Sequence, residues 1–249
     1  MNNRLVKKLI KFNFAVFAKE SFFIVCSLLF PCFLFTGLMF VYQAYNVPGE
    51  DITNSVPIVS FLSVFMILFF NINRQFLTEK EQGMHKLLAL SGVNHRQIIV
   101  AHMLRGLMLG MIIVLEICFI AGLCFALPIT HYFPVFFIGY SFVVAALLFS
   151  GLILSGLFKS VQKATPFTAL TFFYVMFGSG IVMPIQRLPD LLHPVVYASP
   201  FYHMNQMLVY MWHGQLNDSS LWLSTGYVIT IIIVCAFLVV GAKHEKKLV

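Results

Sequence analysis

A single carboxylate, Glu116, stands in the middle of the apolar run LRGLMLGMIIVLEICFIAGLCF. A charge at such a position costs about 3 kcal/mol in hydrocarbon and is a functional candidate by default. It could carry a proton, hydrogen-bond across a helix bundle or line a substrate path. A polar packing contact at an interface explains it equally well. No Lys or Arg lies at matching depth in the run, and an isolated carboxylate does not make a proton relay.

Other reactive residue types do not converge. His85, His95, His102, His131, His193, His203, His213 and His244 form no metal-ligand pattern. His95 and His102 could share a helix face, but matching carboxylates are missing. Cys26, Cys32, Cys118, Cys124 and Cys235 all sit in apolar stretches without a CxxC pair, and read as small apolar fillers. The phosphate-cradling GxxxxGK[ST] loop is absent, as are HExxH and GxSxG. The expectation is a chain that is not an enzyme, with no metal site and no cofactor bound directly.

The elements that must hold these residues are apolar. Hydrophobic residues make up 60% of the 249-residue chain and charged residues 10%, against about 25% charged in a soluble domain. A soluble core would lack the polar residues to cover it, so lipid is the fitting solvent. The 28 Phe side chains carry no polar atom to satisfy there. The expected fold is all-α: one transmembrane domain over 1–249, a polytopic bundle of six helices. The apolar stretches run from about Ser21 to Tyr42 (with Pro31 inside), Val56 to Phe70, Leu104 to Phe125, Tyr132 to Phe158, Pro166 to Met183, and Leu221 to Gly241. Each is near the roughly 20 residues that cross hydrocarbon. The first is too long for a signal-peptide core and is read as retained. Residues 1–19 are expected to form an amphipathic helix, lying in the interface or packed on the bundle as a cytosolic leader, with Leu5, Leu9, Phe12 and Val16 on one stripe and Arg4, Lys8 and Lys11 on another.

The net charge of +7 does not point to nucleic acid, because the basic residues cluster between apolar blocks. With the N-terminus inside, the leader holds Arg4, Lys7, Lys8, Lys11 and Lys19. The next inside segment holds Arg74, Lys80, Lys86, Arg96 and Arg105. Lys159 and Lys163 follow, then Lys243, Lys246 and Lys247. Arg187 alone falls outside. This bias predicts six spans with both termini cytoplasmic.

Two regions between spans are long enough to act. Residues 71–103 contain TEKEQGMHKLLALSGVNHRQIIV, read as a short amphipathic helix ending near Ser91-Gly92 and a second helix starting near Asn94. Residues 184–220 hold Pro184, Pro189, Pro194 and Pro200 among broken apolar segments, read as two short helices at the outer interface. Gly106 and Gly110 match the small-xxx-small spacing that lets membrane helices approach closely, inside the bundle or between subunits.

Taken together, the chain resembles the membrane subunit of ABC-2 type ABC transporters. The likeness rests on the amphipathic start, the six spans, and two segments. One is EKEQGMHKLLALSGVNHRQIIVAHML, where Glu79 or Glu81, Gly83, Leu87, Leu88 and Leu90 match the family's acidic residue, Gly and Leu-rich helix. Met84 and Gly92 stand where the family often has Thr and Pro. The other runs from SGLILSGLFKSVQKATPFTAL into SGIVMPIQRLPDLLHPVVYASPFYHMNQML, with Gly180, Pro184, Leu188, Pro189 and Pro200 in register.

That resemblance implies a permease subunit of an exporter in the bacterial cell membrane. It would pair with a second permease, identical or not, and contact membrane lipid. A separate cytosolic ATPase subunit would use ATP and Mg. Residues Glu79, Glu81, Gln82, Gly83, Leu87, Leu88 and Leu90 would form or flank the coupling helix seated in that ATPase. Pro184, Leu188, Pro189 and Pro200 would belong to the external helix pair. The rival expectations are a stand-alone secondary transporter, for which Glu116 is the sole coupling-site candidate, and a membrane assembly protein without transport.

Overall fold

The computed structural model describes residues 21–45, 52–158, 160–179 and 189–245. The interfacial helix expected at 1–19 lies outside the described residues, as do Gly180, Pro184, Arg187 and Leu188. Every regular element among the described residues is helical. These are α1 (Ser21–Ala44), α2 (Ser55–Glu81), α3 (Met84–Leu90), α4 (His95–Phe125), α5 (Phe133–Leu157), α6 (Val161–Gly178), α7 (His193–Tyr197), α8 (Pro200–Trp212) and α9 (Ser219–Glu245).

Among the described residues, four apolar helices are long enough to cross a membrane: Ser27–Ala44 within α1, all of α2, Arg96–Phe125 within α4, and Phe133–Ile153 within α5. The chain is thus an all-α, multi-pass membrane protein. Its outward faces agree. Phe33 is 74% exposed on α1, and Phe119 and Leu123 are 66% and 70% exposed on α4. Contiguous apolar surface of this kind is stable only against lipid or another protein.

The core lies where α2, α4, α5 and α8 meet. Phe61, Phe65 and Leu68 of α2 pack with Ile113 and Ile117 of α4, Phe136, Tyr140 and Leu147 of α5, and Met207 and Leu208 of α8. Small residues set the spacing. A Cβ on Gly106 would lie 2.4 Å from Leu148 Cδ2, and one on Gly110 would lie 3.0 Å from Val144. The small-xxx-small pair therefore serves contact between α4 and α5 inside the chain.

Several boundaries differ from the sequence expectation. α2 does not stop near Phe70: it runs on to Glu81, 27 residues in all, through a wide π-helical segment at Phe65–Ile72. There the Asn73 N–H donates to the Leu68 carbonyl, five residues back. α4 has 31 residues: the helix expected to start near Asn94 and the span expected from Leu104 are one continuous helix from His95. At about 1.5 Å per residue, both exceed a hydrocarbon core of about 30 Å, so polar residues continue them beyond the lipid. α6 begins at Val161, ahead of Pro166, which it carries internally. α8 does not merely rest on the outer interface. Its stripe of Phe201, Met204, Met207 and Leu208 is buried in the core, the helical spacing expected of a packed face.

Candidate functional site

The C-terminal end of α2 and the N-terminal end of α4 carry α3 between them. Its two turns need left-handed backbone, supplied by Gly83 at φ 76° and Gly92 at φ 81°, where an L side chain is strained. α3 ends at Leu90, at the stop expected from Ser91-Gly92. α4 starts behind Asn94 with a capping box: Asn94 Oδ1 accepts from the Arg96 N–H at 3.5 Å, and Gln97 Oε1 accepts from the Asn94 N–H at 3.0 Å.

One face of α3 is anchored. Leu88 packs against a small cluster of Phe76, Val93 and Ile98. The His85 ring lies 4.7 Å from the Phe76 ring, and His102 of α4 covers Phe76 from its own side at 4.8 Å. The other face is bare. Leu87 is 65% exposed and Leu90 86%, with Lys86 and Ala89 also exposed between and beside them. Free in water, two such leucines forgo about 1.5–3 kcal/mol of burial each.

The acidic residues of this region turn toward the chain itself. Glu79 Oε2 lies 3.8 Å from His85 Nε2, tying the end of α2 to α3. Glu81 Oε2 accepts from the Val161 N–H at 3.0 Å, across 80 residues of sequence. Val161 is the first residue of α6, and Ser160 before it makes no side-chain cap. Gln82 is exposed in the turn. Sequence reasoning missed the Glu81 contact because nothing local signals a carboxylate that caps a helix so distant in the chain.

Arg105, expected among the inside cations at the start of the third span, is buried within α4, its Nη2 3.4 Å from His102 Nδ1. Asn73 is buried one turn from Phe76 and fills the notch left by Gly151 of α5, where a Cβ would meet its Nδ2 at 1.7 Å. Neither placement was legible from residue type.

Glu116 faces α1. Its Oε1 accepts from the Cys32 thiol at 2.8 Å, while Oε2 is buried without a hydrogen-bond partner. Cys32, read as a filler, is thus a polar contact. Among the described residues, no group of three or more His, Cys, Asp or Glu could hold a metal ion.

At the opposite end of the bundle, a 3-10 turn at Asp190–Leu192 leads into α7, and Pro200 opens α8. Pro189 precedes the turn in extended backbone. His213 Nε2 lies 2.6 Å from Asn54 Oδ1, closing α8 onto the start of α2. The Tyr227 hydroxyl donates to the Ala198 carbonyl at 2.7 Å, and His203 bridges Ser224 and the Tyr197 carbonyl. These contacts make one hydrogen-bonded layer of α7, α8 and α9.

A family model described as ABC-2 family transporter protein matches residues 46–240, most of the chain. The chain belongs to that family. The match takes in α2 to α8 and most of α9, and leaves α1 outside. No curated protein matches the chain.

Proposed function

We propose that this chain, as an ABC-2 family transporter protein, is the permease subunit of an ATP-driven exporter. It would line the substrate path with a second permease and take its energy from a separate cytosolic ATPase. The observation that carries the proposal is α3: a short helix fixed on one face by Leu88 and His85, presenting exposed Leu87 and Leu90 on the other. A helix at the polar end of a membrane bundle gains nothing from exposed leucines unless a partner covers them.

Charge placement supports the cytosolic assignment of that end. Arg74, Lys80, Lys86, Arg96 and Lys163 all belong to it: the end of α2, α3, and the starts of α4 and α6. The positive-inside bias then favours a cytosolic α3. Six spans with both termini inside follow if α6 and α9 also cross. Closure of the ATPase on ATP would bias the bundle between two states through α3.

The test uses the full chain in nanodiscs with the ATPase subunit found by cross-linking in its own membrane. Leu87→Asp and Leu90→Asp, alone and together, should weaken association at least tenfold while leaving insertion intact. Wild-type association in the double variant rejects the docking face. Flux driven by an ion gradient through the chain alone, without ATPase, would favour a secondary transporter.

A further inference from the structure

We propose that Glu81 is a positioning residue that yokes the start of α6 to the coupling segment, making α6 a rod between α3 and the external helices. The inference rests on the coupling role assigned to α3. Three observations carry it.

The first is the bond itself. The leading N–H groups of a helix lack intrahelical acceptors. At α6 the N-cap Ser160 supplies none, and the Glu81 carboxylate takes the Val161 N–H instead. Its charge also opposes the positive end of the helix dipole, and charge-assisted bonds of this kind are about twice as strong as neutral ones. Glu81 is the last residue of α2, and only Gln82 and Gly83 separate it from α3.

The second is how little else holds α6. Val175 is its one fully buried hydrophobic among the described residues and Phe172 packs partly buried against the core, while Phe167, Leu170, Phe173 and Phe177 are exposed. A helix at the rim of the bundle takes its position from its ends.

The third is the far end. The Tyr174 hydroxyl donates to the Val195 carbonyl of α7 at 3.4 Å, and the Asn205 amide of α8 donates to the Ser179 carbonyl at 3.5 Å. α6 has 18 residues, about 27 Å of rise. A displacement of α3 therefore has a bonded route to the external layer: Glu81, Val161, the length of α6, then Val195 and Asn205.

Two measurements test the yoke. In the chain alone, hydrogen exchange at Val161 should accelerate about fivefold or more in Glu81→Ala, with Glu81→Gln, which keeps an acceptor, in between. An unchanged rate in Glu81→Ala overturns the bond. In the ATPase complex, spin labels at Ser91, the exposed residue that ends α3, and Lys163 of a cysteine-free chain should keep one separation through ATP-vanadate trapping, because both ends move together. In Glu81→Ala the separation should change on trapping, with ATPase association retained. The same separation in both variants overturns the mechanical role. If Glu81→Ala loses association as fully as the Leu87/Leu90 double variant, Glu81 belongs to the docking surface and the yoke is rejected while the coupling role stands. If the double variant binds normally, the coupling role falls first, and the exchange measurement still decides the bond.

Discussion

The thiol of Cys32 donates to Oε1 of Glu116 at 2.8 Å, joining α1 to α4 within the apolar part of the bundle. The partner that this carboxylate oxygen meets is a weak donor on a neighbouring helix.

Removing that donor leaves a buried acceptor unmatched, which costs about 1–3 kcal/mol. Cys32→Val should lower the thermal stability of the detergent-solubilised chain, and Cys32→Ser should largely keep it. Glu116→Gln retains an acceptor for the thiol. If it folds normally yet loses transport, the carboxyl group acts in function. Wild-type transport would leave Glu116 as a packing contact between α1 and α4.

Gly151 touches Asn73 so closely that a methyl group has no room. Gly151→Ala should destabilise the packing of α2 on α5 by about 1–3 kcal/mol, seen as a lower melting temperature. Gly226→Ala is the control: nothing lies within 4 Å of its added Cβ, and helix propensity favours alanine there. Equal melting temperatures for the two variants would remove the notch as a packing determinant.

The turns around α3 give a separate handle. Gly92→Ala places a side chain at φ 81° and should cost about 1–2 kcal/mol in local stability, whereas Gly92→Asn should be better tolerated. Asn94→Ala should cost about 1 kcal/mol through the lost cap. Both losses should appear as faster hydrogen exchange over 91–98 and weaker ATPase binding, with membrane insertion unchanged.

Topology is tested by labelling. Asn217→Cys, placed in a native-cysteine-free chain, should react with an impermeant maleimide on intact cells, and Lys163→Cys should react only after permeabilisation. Both positions are exposed. Asn217 is preferred to Asp218, whose Oδ1 accepts from the Ser220 N–H at 2.8 Å and caps the start of α9. The reverse labelling would invert the assigned orientation.

Composition and hydropathy made the membrane class legible, because an apolar run needs no tertiary knowledge to reveal its solvent. The α3 boundaries were legible for a local reason: Gly92 and Asn94 write a stop and a start in residue types. The C-terminal half of α2 was not. Asn73, Arg74 and Gln75 are polar, so a hydropathy window ends before the helix does, and the backbone pattern at Phe65–Ile72 has no residue signature. Arg105 counts by sequence among the inside cations at the start of the span expected from Leu104, yet the helix that buries it starts ten residues earlier. The roles of Glu79 and Glu81 were hidden for the reason that hides any tertiary contact: charge is written in the sequence, but its partner is chosen by the fold.

α2 and α4 meet α3 with unequal stiffness. α4 is an unbroken α-helix from His95 to Phe125, so an impulse at its inner end arrives at the far side as a tilt of the whole shaft. α2 carries eight residues of wider, π-helical winding at Phe65–Ile72, and such wide turns recur at functional sites. A thrust on α3 would then lean on one strut and bend the other, turning a push along the membrane normal into a sideways parting of the two.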